Sequence, residues 1–517
     1  MNKRRTNLLI FGGLFFGLFA LGSILLGETN AIAHLFLYLT VTGGLLAVLA
    51  PRHGFYLLLV SCAYTDLLKR LMVVSGRMSM SDLFYVLGFS PVLLGVIIST
   101  LLLRGMVGKL QVTAFHMKLL VLAGLLFAAT TAMAALGGEK GVGKLLQHAA
   151  NGGFYASLLF VIPVLLPTVQ QCLKLLRFVM WIYVPVALYG IAQGLWGFRE
   201  FEVAYLRTGL SIEIKQLLTD RVRAFSTLNS PTALGAISAC LMTLPLFLAR
   251  TKNRMGRRFL PLSVAALLTV LYAGSLVAST SRSGLIVVAV ICAGTVCFKS
   301  ARGTLLFYLG ASAAFAALVA AASVLRDRLA AITEYLLTHA GGLGEANLNV
   351  NTFSDRLQGF SQVLTNPSAY TLFGHGLERG KDPNDPLYNH DMLSGILVQY
   401  GAVALFGLLL TGAFLLWRVH AAALRLQIPA LRRLCAYMLA LLLGLVAISV
   451  TSGTVLSIFP VNTFFWLAAS FAIVICRAEM NPAMSAAADV LRANAGQQTL
   501  VPAAVEGAGF RNDGSPA

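Results

Sequence analysis

Tyr388-Asn389-His390-Asp391-Met392-Leu393-Ser394-Gly395-Ile396-Leu397-Val398-Gln399-Tyr400-Gly401-Ala402, continuing to Trp417, takes the chain from a polar loop into a run with no charged residue between Met392 and Trp417. At ~1.5 Å per residue, about twenty such residues span the ~30 Å of bilayer hydrocarbon as a helix. The stretch therefore predicts a membrane helix with an imidazole at its mouth. An ionisable group at that depth is a functional candidate by default.

Working outward, the same apolar pattern recurs along the chain. With 58% hydrophobic and 11% charged residues over 517 positions, one soluble core is excluded. The expected fold is an all-α polytopic membrane protein of about 12–14 transmembrane helices, with one large outer loop between two late helices. The clearest runs are Leu8–Leu26, Ala31–Ala50, Leu83–Leu103, Met117–Leu136, Thr232–Ala249, Leu260–Ala278, Leu305–Ala322, Met392–Trp417, Leu434–Thr451 and Leu456–Ile475. Gly54–Val74, Phe154–Val169, Leu175–Trp196 and Leu285–Phe298 are weaker. Gly54–Val74 carries Asp66, Lys69 and Arg70, and reads as a tilted or partly interfacial helix. Lys3-Arg4-Arg5 before an apolar run resembles a signal peptide. The run is long and lacks a small-x-small cleavage site, so it reads as an uncleaved first helix.

Orientation follows from Lys and Arg, which cytoplasmic loops retain. Arg250, Lys252, Arg254, Arg257 and Arg258 form one basic connection; Arg418, Arg425, Arg432 and Arg433 form another. Placing both inside makes the N- and C-termini cytoplasmic and puts Gly197–Pro231 and Leu325–Asn389 outside. On that threading the formal net charge of +19 falls entirely on the cytoplasmic side. A nucleic-acid partner would require a soluble basic face interleaved with aromatics, and there is none. The seven cysteines lie in or beside apolar runs, which implies neither a disulfide framework nor a cysteine-based zinc site.

The chain divides into N-terminal spans (1–196), an outer Arg loop with central spans (197–323), a large outer loop (324–390), C-terminal spans (391–476) and a low-complexity tail (477–517). In Gly197–Pro231, helix-compatible sequence around Glu202–Leu218 precedes Arg221-Val222-Arg223, and Asn229-Ser230-Pro231 forms a turn or cap into the next helix. Leu325–Asn389 turns at Asn366-Pro367 and Gly374-His375-Gly376. Outer loops of this length are usually functional.

Three constellations carry chemistry. In Ser279-Thr280-Ser281-Arg282-Ser283-Gly284, between two spans, a guanidinium flanked by hydroxyls and a helix N-terminus suits a phosphate, or Arg282 simply snorkels to head groups. Arg221 and Arg223 lie two apart and share a side of an extended segment. They suit a pyrophosphate or, equally, lipid head groups. Gly374-His375-Gly376-Leu377-Glu378 and Asn389-His390-Asp391 supply tight turns and imidazoles, which are structural as readily as catalytic. Asp382, Asp385 and Asp391 near His375 and His390 match no strong metal pattern, and Asp382-Pro383-Asn384-Asp385-Pro386 reads as a turn, so no metal or cofactor is expected. The absence of Gly-x-Ser-x-Gly, a Gly-Lys-Ser/Thr phosphate loop and His-Glu-x-x-His removes serine hydrolases, nucleotide-driven pumps and zinc proteases.

In order and spacing these segments resemble the O-antigen ligase and polymerase family of bacterial cell-surface polysaccharide synthesis. The matches are Arg223 with Asn229-Ser230-Pro231, Ser281-Arg282-Ser283-Gly284, Gly374-His375-Gly376, and His390 with Gly401, together covering roughly Arg221 to Leu410. Two positions depart from the family pattern: Asp391 follows the histidine where Asn, Ser or Gln is usual, and Ala404 stands where Gly, Thr or Tyr is commoner. The resemblance implies a bacterial inner-membrane enzyme working on the periplasmic face. Its donor is a glycan on undecaprenyl pyrophosphate, and its acceptor a hydroxyl on a growing polysaccharide or on lipid A-core. The transfer inverts the sugar and is metal-independent. His390 is then the base, and Arg282 and Arg223 stabilise the departing pyrophosphate. Arg221, Arg356, Ser281, Ser283 and His375 are further substrate contacts. Membrane lipids, a flippase and a chain-length regulator are the implied partners. A protein O-oligosaccharyltransferase shares the donor and differs in acceptor. The competing class is a transporter such as a flippase, for which repeats and mid-span charges are expected. Asp66, Lys69 and Arg70 are its best support.

Overall fold

The computed structural model describes residues 31–76, 83–136, 141, 145, 153–208, 222–251, 258–314, 317, 363, 365–376, 387, 392–449 and 458–478. Over these residues the protein is all-helical, 83% helix without strands. The expected span Leu8–Leu26, the end of Leu305–Ala322, most of Leu325–Asn389 and the tail fall outside them. So do Arg221, Arg356, His390 and Asp391.

In chain order the helices are α1 (Ala31–Leu49), α2 (Pro51–Val74), α3 (Leu83–Leu87), α4 (Phe89–Met106), α5 (Ala114–Leu136), α6 (Leu158–Leu165), α7 (Val169–Ile182), α8 (Val184–Trp196) and α9 (Glu200–Arg207). The second half holds α10 (Pro231–Arg250), α11 (Leu262–Ala278), α12 (Arg282–Cys297), α13 (301–314), α14 (Met392–Arg425), α15 (Pro429–Ile448) and α16 (Val461–Arg477). Among the described residues, six spans are long and apolar enough to cross a membrane. One of them, Val169–Trp196, is divided at Tyr183. Pro185 lies just beyond, and it has no N–H to donate and crowds the carbonyl of the turn before it. α12 starts earlier than its apolar run, because the Ser281 hydroxyl caps it by accepting from Gly284 N at 3.3 Å. Ser230 does the same for α10, accepting from Ala233 N at 3.2 Å with Pro231 in the first turn.

The faces of these helices show what surrounds them. α11 and α12 turn Leu267, Val270, Leu285 and Val296 outward, each about two-thirds exposed. α14 does likewise with Phe406, Leu410, Phe414 and Trp417. Water disfavours a continuous apolar surface of this kind, whereas lipid tails accept it.

Small residues set the packing among α10, α12 and α15. A Cβ on Gly284 would lie 2.9 Å from the Gly235 carbonyl oxygen, so α10 and α12 touch backbone to backbone at their first turns. Along α12 and α15, Gly294 meets Ala440 and Val287 meets Gly444, which makes the pair antiparallel. The Ser281 end of α12 and the Ser449 end of α15 therefore share one end of the bundle. Met392 joins them there, its N–H donating to the Ser449 carbonyl at 2.7 Å.

Gly54–Val74 lies within a regular 24-residue helix, α2, that buries Asp66 and Arg70 inside the protein. Arg70 is met there by Glu202 of α9 and by the segment that follows α9, and Asp66 by Lys69 one turn along α2 itself.

Candidate functional site

The site begins with a glutamate that carries no exposed surface. Glu202, on α9, accepts hydrogen bonds from Tyr189 Oη at 2.8 Å, from Gln193 Nε2, and from the Arg199 backbone N–H at 2.9 Å. The Arg70 guanidinium pairs with it at 3.6 Å. A buried carboxylate is tolerable only when its oxygens are satisfied and a countercharge is near, and Glu202 meets both conditions.

Arg70 and Gln193 together mould the chain that leads out of α9. Arg70 donates Nη2 to the carbonyls of Ser226 at 2.6 Å and Leu228 at 3.2 Å, and its guanidinium lies 4.6 Å from the Phe225 ring centre. The Gln193 side-chain oxygen accepts from the N–H groups of Phe225 at 3.1 Å and Ser226 at 2.6 Å. Ser226 Oγ donates to the Val186 carbonyl, and Thr227 Oγ1 to that of Ala63. Held this way, Ser226 adopts a left-handed φ of 55°, which a non-glycine residue takes only under constraint.

The immobilised segment presents Arg223. Its neighbour Ala224 donates N–H to the Ala278 carbonyl at the end of α11 at 3.1 Å, and Arg223 Nε donates to Thr280 Oγ1 at 3.0 Å. Thr280 also has a left-handed φ, 49°. The Arg223 segment and the Ser279–Gly284 element, over fifty residues apart in sequence, are thus one structure. In its turn the buried hydroxyls of Ser281 and Ser283 bond each other at 2.9 Å, and Ser279 Oγ donates to the Leu276 carbonyl at 2.7 Å. Ser281 and Ser283, expected as substrate contacts, are engaged in shaping the turn.

Arg282 opens α12 half-buried, and among the described residues no carboxylate pairs with it. A cation at the positive end of a helix dipole is unfavourable, and an anion bound there relieves both charges. Met392 lies at this same end of the bundle, two positions along the chain from His390.

The third constellation is a broken helix with a loop docked into the break. In α14, Gly401 has φ 87° and ψ 176°, a combination open to glycine alone. The break frees backbone donors, which the loop receives: Ala402 N donates to the Thr371 carbonyl at 2.8 Å and Val403 N to that of Leu372 at 3.4 Å. His375 N returns a bond to the Val398 carbonyl at 2.7 Å. Gly374, at φ 78°, leaves no room for a Cβ against the Gln399 carbonyl. The His375 ring, another expected substrate contact, bonds the Ser368 carbonyl at 2.8 Å through Nε2.

Asp382, Asp385, Asp391 and His390 all lie outside the described residues, as do Arg221 and Arg356. Sequence reasoning passed over Gln193 and Glu202 as functional groups, took Thr280 as one of the hydroxyls flanking Arg282, and weighed Arg70 as a mark of a tilted or partly interfacial helix and as support for a transporter. A mid-span cluster of ionisable residues was the available signal, since such groups are held in membrane helices only with internal partners.

Fold and surface define a helical membrane-type protein with several spans, whose paired arginine segments meet at one end of the bundle. Compared with protein-family models and with curated proteins, the chain gives no match.

Proposed function

We propose that the protein is a membrane glycosyltransferase of the O-antigen ligase and polymerase type. It transfers a glycan from undecaprenyl pyrophosphate to an acceptor hydroxyl on the periplasmic face of a bacterial inner membrane. The observation that carries this reading is the 3.0 Å hydrogen bond from Arg223 Nε to Thr280 Oγ1, which joins the two arginine segments of the family resemblance. Two guanidiniums on one rigid turn suit a pyrophosphate, whose charge grows as the glycosidic bond breaks.

In this mechanism His390, as neutral imidazole, accepts the acceptor proton while the hydroxyl oxygen attacks the anomeric carbon. The carbon–oxygen bond to pyrophosphate breaks with its electron pair on the leaving group. Arg282 and Arg223 take up that charge, and the sugar configuration inverts. The full fold of this reading has about 12–14 spans and a periplasmic loop Leu325–Asn389, with both termini cytoplasmic. It is supported by the basic residues Arg250, Arg425 and Arg432, which lie toward the opposite ends of α10, α14 and α15 from Arg282 and Met392. The charges that a transporter would use, Asp66, Lys69 and Arg70, have internal partners, Asp66 with Lys69 at 2.8 Å and Arg70 with Glu202, which gives them a structural role in this reading.

The test is reconstitution. Purified protein is given undecaprenyl-pyrophosphate oligosaccharide, with chelator present, and separately offered growing glycan, lipid A-core or a serine-containing peptide. Product with one acceptor supports the reading and names the branch. Donor that crosses liposome membranes intact, with no product from any acceptor, overturns it in favour of transport.

A further inference from the structure

The loop Asn366–Gly376 is two-sided. Its polar groups are turned back on the loop, with the Asn366 side chain accepting from Ser368 N at 3.0 Å and His375 bonded to the Ser368 carbonyl. Its large apolar side chains are outside: Tyr370 is 49% exposed, Leu372 65% and Phe373 43%. Leu372 lies beside Val403, to which its carbonyl is hydrogen-bonded, and Val403 begins the exposed apolar face that continues through Phe406 and Leu410. One apolar surface therefore runs unbroken from loop to membrane helix.

Depth follows from helix geometry. At its full 34 residues α14 would measure about 51 Å, well beyond the ~30 Å of hydrocarbon. The part from Ala402 to Trp417, just before Arg418, measures about 24 Å, which puts the Gly401 break near the far hydrocarbon edge. Irregular backbone is tolerated at that depth only where its polar groups are satisfied by protein. The Ala402, Val403 and His375 N–H groups meet that condition through the loop and the broken helix.

We infer that Tyr370, Leu372 and Phe373 insert into the bilayer at the hydrocarbon edge, making Asn366–Gly376 a membrane-seated element anchored on the broken helix α14. The occupant of this surface is lipid, because the surface continues the lipid-facing side of α14 and ends in aromatic residues of the kind that settle at membrane interfaces. The inference stands whether or not the protein transfers glycans.

Site-directed spin labelling tests it on the full chain, with the seven cysteines replaced, in liposomes. Nitroxides at Leu372→Cys and Phe373→Cys are compared with a lipid-facing reference, Val403→Cys, and a water-facing one, Ser368→Cys. Oxygen, which concentrates in lipid, should relax the labels at 372 and 373 more than a water-soluble nickel chelate does, giving a ratio above unity as at 403. At 368 the ratio should fall below unity. A nickel-dominated signal at 372 and 373 means the loop stands in water and overturns the inference. Low collision with both reagents means a second copy or another protein covers the face, and overturns it equally. Should either variant fail to fold, Tyr370→Cys reads the same surface.

Discussion

Arg70 donates Nη2 to the Ser226 carbonyl at 2.6 Å, linking α2 to a segment 156 residues further along the chain. Through that bond and its ion pair with Glu202, a helix near the start of the protein fixes the conformation of the chain beside Arg223. Arg70→Ala leaves a buried carboxylate without its countercharge and two carbonyls without their donor. Breaking one side of such a pair costs about 3–5 kcal/mol. Thermal unfolding in detergent should show a correspondingly large fall in midpoint. Arg70→Lys should recover little of it, because an ammonium cannot serve both carbonyls and Glu202 while stacking on Phe225. An unchanged midpoint for Arg70→Ala would show that the network does not hold the segment.

The turn that carries Arg282 depends on the absence of a side chain at position 235. A Cβ there would overlap Ser281 and press on Ser279 Oγ, so Gly235→Ala must move the turn away from α10. Overpacking of this kind costs roughly 1–3 kcal/mol. If the turn binds the donor, Gly235→Ala should raise the apparent KM for undecaprenyl-pyrophosphate oligosaccharide in the purified enzyme. Gly407→Ala is the control, since position 407 has open space around it. Its KM should match the parent, and equal KM values for all three proteins would separate the turn from donor binding.

What the sequence made legible was what local chemistry decides. Long apolar runs announced α5, α10 and α15, and Asn229-Ser230-Pro231 announced the start of α10 through its cap. The Arg223 and Arg282 elements could be recognised one by one, but their meeting at Thr280 could not. That contact depends on Ala224 bonding the end of α11 and on Arg70 and Gln193 shaping the chain between. The partner of Arg70 in α2 was hidden for the same reason. In one dimension Arg70 is a charge within an apolar helix, and its neutralising partner Glu202 lies on another helix. Ser281 and His375 have side chains suited to binding and here bond backbone groups, while Ser283 bonds the Ser281 hydroxyl. Residue type gives capacity for hydrogen bonding, and only packing decides where it is used.

At the break in α14, Gly401 occupies backbone space that an L side chain enters at a cost of roughly 1–3 kcal/mol, and a Cβ would also collide with the Leu372 carbonyl. Gly401→Ala should therefore expel the loop before it unfolds the helix. Hydrogen exchange should accelerate at the amides of Ala402 and His375, which bond across the junction, while the α15 amides around Ala440 keep their parental rates. Acceleration spread evenly over both helices would mean that the glycine supports the whole bundle and the junction has no separate stability.

On the proposed mechanism the sharpest division of labour is between His390 and Arg282, because one would move a proton and the other meet a developing charge. Removing a general base costs about a hundredfold to ten-thousandfold in rate, so His390→Ala should abolish detectable polymer or ligated glycan in cells at unchanged expression. In the parent enzyme, activity should fall as pH drops through the histidine range, because a protonated imidazole has no lone pair to accept the acceptor proton. Arg282→Ala should act differently, weakening donor use as well as slowing turnover, and its residual activity should keep the parental acid limb, since the base is still present. Near-normal product from His390→Ala would remove the histidine from the mechanism. Unchanged kinetics in purified Arg282→Ala would leave that arginine as a head-group contact and the pyrophosphate without its first ligand.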